Sequence, residues 1–496
     1  MTHPTFHNLI GGQWLPAVGR KTILNLNPAT HSDVVGEFPS SHAEDVALAV
    51  AAAQKAFASW RLVPAPKRAE ILVRAALLLQ ARKEQYARDM TREMGKVLVE
   101  TRGDVQEAID EAFYVAGEGR RLFGQTTPSE LENKFAMSVR MPLGVVGLIT
   151  PWNFPMAIPS WKLFPALVCG NACVIKPATD APLSTYNLVQ TLIDAGLPPG
   201  VVNIVCGTGS TAGAALIEHP GVRAISFTGS SAVGSLVAQR AAAAFKPVSL
   251  EMGGKNAQIV LDDANLELAL DGALWGAFGT TGQRCTATSR ILLQKGIAQD
   301  FTAEFVARAQ NLVVGNGLEA SVQVGPLVNA SQIETSKKYV HIAVAEGARV
   351  LTGGYPLTEG SFAHGSFFAP TVLGGVTPAM RIAREEVFGP VVSLIEFASF
   401  EQAVEIANSI DYGLSTALYT RDVNRAFAAI RDLEAGITYI NAPTIGAEVH
   451  LPFGGVKQTG NGHREGNGAI DFFTAWKAVY VDYSDKLQRA QIDNAE

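Results

Sequence analysis

From Gly144 onward the chain keeps one rhythm, and no other feature narrows its fold so far. Short apolar runs at 145–150, 172–176, 201–206 and 224–227 alternate with stretches of helical pattern. The rhythm resumes at 259–261, 291–294 and 391–397, again with helical segments between the runs. A strand covered on both faces reads as a continuous apolar run, and a parallel neighbour can be reached only through a crossover, usually a helix. The pattern therefore predicts βαβ units on parallel-type sheets, an α/β protein. With 496 residues the chain exceeds the roughly 250–300 at which one core stops growing. Two α/β domains are expected, the second starting near Glu251 and ending near 450.

The first 143 residues read differently. Residues 10–40 are expected to be irregular strands and turns, punctuated by Gly11-Gly12 and Asn27-Pro28. Ser41 with Glu44 forms a capping box ahead of an alanine-rich helix to about Trp60. Pro66 opens a second helix running towards Gly95, and a third follows to about Gly119. Residues 124–143 break the helical pattern, with Phe135, Met137, Val139 and Met141 at alternate positions, and read as an extended arm. The tail after Gly454 is glycine-rich and turns apolar again at 475–481, as suits a segment that docks on its own or another subunit.

Composition excludes several function classes. Hydrophobic residues make up 47% and charged residues 17%, and the net charge of −6 is scattered, so no field draws nucleic acid or an anionic membrane. A small molecule is the expected partner. No uninterrupted apolar run approaches the roughly 18 residues of a span, and the sequence MTHPTFHNLI lacks the basic and apolar regions of a signal peptide. Of the four cysteines, Cys169, Cys173, Cys206 and Cys285, no two form a CxxC pair, and Cys169 and Cys173 sit among apolar residues as packed thiols. A cytoplasmic location is expected, and no residue is assigned to a metal.

Three residue types stand where chemistry would use them. Cys285 lies in Gly282-Gln283-Arg284-Cys285-Thr286, a glycine-containing turn before a β-branched strand, and the adjacent arginine would favour a nucleophilic thiolate. A packed structural thiol is the alternative. Glu251 ends a strand and is followed by Met252-Gly253-Gly254-Lys255, so its carboxylate would face a cavity where partial burial tunes it as a general base. An ordinary ion pair with Lys255 is the competing reading. Asn153, fixed between Pro151 and Pro155, offers the preorganised amide of an oxyanion site, or is simply a turn asparagine. Two glycine turns suit a dinucleotide: Gly207-Thr208-Gly209-Ser210-Thr211-Ala212, without the usual downstream acid, and Gly229-Ser230-Ser231-Ala232-Val233-Gly234 at the start of a helix.

Taken in order, the segments TPWNFP, KPA, FTGSxxVG, LEMGGK, GQRC, EEVFGP and LPFGG resemble the aldehyde dehydrogenase superfamily, from about residue 8 to residue 482. Chance occurrence of seven ordered motifs is negligible. The resemblance implies Cys285 as the nucleophile, Asn153 with the Cys285 amide as the oxyanion site, and Glu251 as the base that hydrolyses a thioester. It implies Lys176 at the adenosine ribose, Glu386 and Phe388 at the nicotinamide ribose, and Gly229, Ser230 and Gly234 around the pyrophosphate. Ile149, Trp152, Thr179 and Gly209 complete the expected cofactor site, and Trp161, Arg284, Thr286 and Phe453 the expected substrate site. A dinucleotide domain at 1–123 and 144–250, a catalytic domain at 251–450, and an oligomerisation arm and tail at 124–143 and 451–496 follow from the same likeness, with a homodimer or homotetramer as the assembly.

One position departs from the pattern. Many NAD-preferring members carry glutamate three residues after the KPA lysine, where it repels a 2′-phosphate; here that residue is Thr179, so use of both NADP and NAD is expected unless Asp180 turns inward to replace it. The segment from Asn441 to His450, with Trp161, looks like 2-oxoglutarate semialdehyde dehydrogenases. A short carboxylated semialdehyde is thus the lead substrate, with Arg284 as candidate partner for its distal carboxylate. Broad-specificity aldehyde oxidation, CoA acylation and a catalytically dead binding protein on the same fold are the rivals. The intact Cys285, Glu251 and Asn153 argue against the last two.

Overall fold

The computed structural model describes residues 3–493. Two seven-stranded sheets form its centre. The first runs in the order Val248–Glu251, Ala224–Thr228, Val145–Ile149, Ala172–Lys176, Val202–Ile204, Asn8–Ile10, Gln13–Leu15. Its first five strands are parallel, and the amino-terminal hairpin closes the far edge antiparallel. Every residue of Val145–Ile149 and Ala172–Lys176 is buried, as strands covered by helices on both faces must be. The second sheet runs Arg349–Thr352, Thr371–Gly374, Val391–Phe397, Thr288–Gln294, Asn256–Val260, Ser415–Tyr419, Ile437–Ile440, parallel except at its first pair. This is the two-domain α/β architecture that the rhythm predicts. Four strands of the second sheet escape that rhythm: Arg349–Thr352, Thr371–Gly374, Ser415–Tyr419 and Ile437–Ile440 are short and interrupted by Thr, Ser, Arg or Gly, so no apolar run marks them.

The three early helices form at Ala43–Trp60, Ala65–Met94 and Leu98–Glu118. Gly95 ends the second with φ +91°, where a Cβ would lie 2.6 Å from Pro326, so the stop needs glycine. The cap of the first helix differs from expectation by one residue. His42 is the cap, and the Asp45 carboxylate accepts its N–H at 3.0 Å. The Ser41 hydroxyl is buried and accepts from Asn8 Nδ2 at 2.8 Å, tying the helix to the amino-terminal strand instead.

The arm is a three-stranded antiparallel sheet in which Lys134–Pro142 lies between Thr126–Pro128 and Thr474–Asp482. Its surface leaves Phe135, Trp476 and Tyr480 exposed. The tail expected to belong to the arm from 451 joins it only at Thr474. Before that, Val456–Lys457 pairs with Tyr412–Gly413, and Ile470, Phe472 and Phe473 enter the core around the first sheet. Apolar burial pulls this stretch into the body of the molecule.

A buried ion pair links the third helix to the segment carrying Asn153. Lys96 Nζ lies 2.6 Å from Asp104, with both side chains fully buried, and 3.7 Å from the Phe154 ring centre. The other Asp104 oxygen accepts the Ala157 N–H at 2.7 Å, at the start of the helix Ala157–Val168. Asp104→Ala strands the Lys96 ammonium in the core, and removing one partner of a buried pair costs about 3–5 kcal/mol. The expected outcome is a clearly lower urea midpoint, measured by fluorescence, and a midpoint within error of the parent would show that the pair carries no stability.

Candidate active site

Cys285 sits where the turn of residues 280–282 leads into the second sheet. Thr280, Thr281 and Gly282 all have left-handed backbone, with φ of +52°, +56° and +68°. Only glycine adopts that region freely, and a β-branched threonine is strained there. The strain is held by specific bonds. Glu100, from the third helix, accepts the Thr280 N–H at 2.9 Å and its hydroxyl at 3.2 Å. Thr281 donates its hydroxyl to the Gly325 carbonyl at 2.9 Å, and a Cβ on Gly282 would lie 2.2 Å from the Gly389 oxygen. Asn256 fixes the other side, donating to the Cys285 carbonyl at 2.7 Å and the Ala287 carbonyl at 3.0 Å.

The nucleophile candidate opens onto a cavity of about 190 Å³ lined by Trp152, Asn153, Thr228, Gly229, Glu386 and Phe388 among others. Asn153 is buried and spends one amide hydrogen on the Gln283 carbonyl at 3.1 Å. The residue lines the same cavity as Cys285, and that bond uses only one of its two amide hydrogens. The thiolate expectation needs correction: burial pushes the Cys285 thiol up to about 12, and the carboxylates of Glu386 and Glu251 add to the shift. Arg284 does not offset this, because its guanidinium is engaged elsewhere.

Glu251 is 3% exposed and neither carboxylate oxygen has a partner among the described residues. A Cβ on Gly454 would lie 2.5 Å from Oε1, so glycine there leaves the carboxylate its room. Burial raises the Glu251 pKa well above the usual range; Glu465 adds to the rise, and Lys162 and Arg464 oppose it. The expected alternative partner, Lys255, does not pair with it. The Lys255 ammonium is buried without a hydrogen-bond partner among the described residues, and burial beside Arg290 pulls it down to about 7. Lys162 instead forms a buried ion pair with Glu465 and donates to the Ser226 hydroxyl at 2.8 Å. Sequence reasoning missed Glu100, Asn256, Lys162 and Glu465. A lysine inside the apolar run IPSWKLFPALV was the one available signal, since charge in such a run must be paired.

The cofactor candidates divide into two groups. Gly229 and Ser230 line the cavity at the start of the helix Ser231–Ala242, where Ser230 caps the helix by accepting from Val233 N–H. A Cβ on Gly234 would come within 2.2 Å of Met252 Sδ, so only glycine lets this helix end lie against the strand end at Glu251. Glu386 is held by the Gly254 N–H at 3.0 Å, and burial raises it to about 7. Phe388, at φ +57°, packs edge-on against Trp152 with centroids 5.3 Å apart. Ile149 is buried at the end of its strand.

The second group lies off this cavity. Gly209 is exposed in a short π-helical turn, Gly209–Gly213. Lys176 is buried and donates to the Pro177 carbonyl at 2.7 Å and the Gly207 carbonyl at 3.1 Å, bridging the strand end to that turn. Thr179 lines a separate cleft of about 350 Å³ with Asp180 and Asn329. The Asp180 carboxylate accepts from Asn329 Nδ2 at 2.8 Å. One of its oxygens is thereby tied to Asn329, and Asp180 lines the same cleft as Thr179.

On the opposite side, Trp161 and Phe453 meet edge-to-face at 5.3 Å, and Trp161 Nε1 is buried without a partner among the described residues. The Thr286 carbonyl accepts the Thr444 hydroxyl at 2.6 Å. Arg284 does not face an anion site. Its Nε donates to Thr280 Oγ1 at 2.8 Å, its Nη2 pairs with Glu100 at 3.3 Å, and its guanidinium lies over Phe154 and Trp275. The Glu100 carboxylate captures the charge that the sequence offered to a substrate.

A cysteine, an amide donor and a glycine-containing helix start line one cavity, with a buried carboxylate next in chain to its Met252, an arrangement that suits oxidation of carbonyl compounds with a dinucleotide. The aldehyde dehydrogenase family model matches residues 14–479. Alpha-ketoglutaric semialdehyde dehydrogenase of Bacillus subtilis is 43% identical, covering 96% of this chain and 98% of the relative. Alpha-ketoglutarate semialdehyde dehydrogenase of Haloferax volcanii is 42% identical, covering 97% and 100%. The solved structure of PnpE from a Pseudomonas species in complex with nicotinamide adenine dinucleotide superposes with a TM-score of 0.94 at 37% identity, covering 97% of this chain and 98% of that one. The chain belongs to the aldehyde dehydrogenase family and is an NAD(P)-dependent aldehyde dehydrogenase.

The Glu100–Thr280–Arg284 network generates a prediction opposite to substrate selection. Arg284→Met leaves Glu100 half-paired and loosens the turn that presents Cys285. kcat/KM is expected to fall by a similar factor for carboxylated and neutral aldehydes of equal length. A loss confined to the carboxylated substrates would return the arginine to the substrate site.

Proposed function

We propose that the enzyme oxidises an aldehyde through a thioester on Cys285 that water hydrolyses with Glu251 as base. One observation supports this most: Cys285 and Asn153 line one cavity with Met252, and the preceding Glu251 is buried with no hydrogen-bond partner for its carboxylate among the described residues. The Cys285 thiol gives up its proton to water in the cavity, its sulfur adds to the aldehyde carbon, and the carbonyl oxygen becomes an alkoxide that Asn153 stabilises. The bound dinucleotide supplies the hydride acceptor. Glu251 then takes a proton from water, the hydroxyl adds to the thioester carbon, and the carbon–sulfur bond breaks to release the carboxylate product and Cys285. A base in this position favours water over CoA as acceptor. The cradle fits a dinucleotide at Gly229, Ser230 and Gly234, where the helix dipole and amides favour pyrophosphate, with Glu386 and Phe388 toward the nicotinamide end and Lys176 toward the adenosine ribose.

The substrate we favour is a short carboxylated semialdehyde such as 2-oxoglutarate semialdehyde, on the strength of the two relatives so named and the loop from Asn441 to His450. Trp161, Thr286 and Phe453 form its wall; Arg284 is not its anchor. Domain assignments of 1–123 with 144–250, and 251–450, follow the two sheets, and the arm with the strand from Thr474 serves assembly into a homodimer or homotetramer. Free, mostly buried cysteines suit a cytoplasmic setting. NADP and NAD are both accepted, because Thr179 removes the acid that would repel a 2′-phosphate and Asp180 is bound to Asn329.

Two experiments test this reading. Glu251→Gln keeps shape and removes the base, so rapid mixing is expected to show a burst of reduced cofactor near one per active site, followed by slow turnover. Steady turnover like the parent's, without a burst, would move water activation to another residue. A panel of carboxylated and neutral aldehydes, assayed with both cofactors, is expected to favour the semialdehyde acids and to show discrimination between cofactors below about a hundredfold, or roughly 2.7 kcal/mol. Thr179→Glu is expected to lose NADP activity strongly while NAD activity persists. Refusal of NADP by the parent enzyme would overturn the role given to Thr179.

A further inference from the structure

The residues proposed to grip the dinucleotide lie in two places that the fold keeps apart. Cys285, Glu386 and Phe388 line the cavity of about 190 Å³, whereas Thr179 and Asp180, in the loop that follows Lys176, line the separate cleft of about 350 Å³. One short segment borders both. Asn329 and Ala330 line the cleft, and Gln332 lines the cavity. Gln332 belongs to the first turn of the helix Ala330–Ala345.

The same segment crosses from one core to the other. Val328 is buried in the core around the first sheet, with Val146, Leu148 and Ile175, while Val340 and Ala343 of the helix pack with Ile259 and Leu292 of the second. Asn329 stands at the crossing, and its side chain bonds in both directions. Its Oδ1 accepts the Gln332 N–H at 3.1 Å and caps the helix, and its Nδ2 donates to Asp180 Oδ1 at 2.8 Å. The Asp180 backbone is held in turn, its carbonyl accepting from Asn25 Nδ2 at 2.7 Å. A bond to a charged acceptor is among the stronger ones an amide makes, and a planar amide used at both its oxygen and its nitrogen has little freedom to turn.

We propose that Asn329 is a positioning residue for the cofactor: its amide latches the loop after Lys176 to the helix start that brings Gln332 to the cavity, and so sets the spacing of the two grips. The inference rests on the cavity being the dinucleotide site. A ligand that engages two linked grips gains from both only while their spacing matches its length. Loosening the latch therefore costs affinity for the whole dinucleotide and spares a fragment that fills one grip. The Cys285 turn keeps its own ties to this segment. Thr281 donates its hydroxyl to the Gly325 carbonyl at 2.9 Å, and the Val328 N–H donates to Gln283 Oε1 at 3.0 Å. Asn329 acts through these neighbours and lines the cleft, not the cavity.

Asn329→Ser keeps a capping oxygen and is too short to reach Asp180. The dissociation constant for NADH, read by fluorescence titration without aldehyde, is expected to rise about tenfold, the scale of one lost hydrogen bond to a charged group. Binding of AMP, read by calorimetry, is expected to match the parent. KM for the cofactor should rise with the dissociation constant, while kcat at saturating cofactor stays within about twofold of the parent's. Exchanging the pair supplies the rescue. Asn329→Asp alone sets two carboxylates face to face and weakens NADH binding, whereas Asn329→Asp with Asp180→Asn restores one donor and one acceptor and is expected to recover it. The exchange also decides the matter if Asn329→Ser folds poorly. Parent-like NADH affinity in the single variants, equal losses for NADH and AMP, or no recovery in the exchanged pair would overturn the latch. If bound NADH leaves the alkylation of Cys285 by iodoacetamide unchanged in the parent, the cavity is not the dinucleotide site and the reading beneath the inference falls instead.

Discussion

The site depends on a single carboxylate reaching across from one sheet's helices to the turn that feeds the other sheet. Glu100 accepts from both the backbone and the hydroxyl of Thr280 and pairs with Arg284. Consecutive left-handed threonines cost on the order of 1–3 kcal/mol each, so the turn persists only where its surroundings over-determine it. Asn256, Gly325 and Gly389 complete that enclosure. Cys285 is thereby presented at a fixed place beside Asn153, whose own segment hangs on the Lys96–Asp104 pair of the same third helix. One helix positions both Cys285 and the Asn153 amide.

Burial governs the electrostatics more than pairing does. Cys285, Glu251, Glu386 and Lys255 all shift toward their neutral forms, and desolvation is the largest cause in each. Glu465 and Lys162 form a buried ion pair beside these groups. The arrangement explains why a glycine stands at 454: a side chain there would occupy the space of the Glu251 carboxylate.

Much of this was legible in the sequence. The apolar runs marked the inner strands of the first sheet, because strands covered on both faces leave no polar alternation to hide them, while its edge strand Val248–Glu251 shows no such run. Gly95, Gly229 and Gly234 were legible because each sits where a Cβ meets another atom or the backbone turns left-handed. The motifs grouped Cys285, Glu251, Asn153, Gly229, Ser230, Glu386 and Phe388; all but Glu251 line one cavity, and Glu251 precedes its Met252 in the chain. Harder to read were the short strands of the second sheet and the body segment between 451 and 473, whose burial comes from contacts with residues hundreds of positions away.

What the sequence determined by itself was the order of elements, the family and the set of reactive side chains, since these follow from local pattern and motif spacing. Only the tertiary structure decided what each charge faces. Arg284 stands next to the nucleophile in sequence yet turns to Glu100, 184 positions earlier. Lys255 follows Glu251 closely and has no hydrogen-bond partner among the described residues, while Lys162 finds Glu465 from 303 positions away. Coulomb interactions and desolvation depend on distance in space, and chain proximity sets neither.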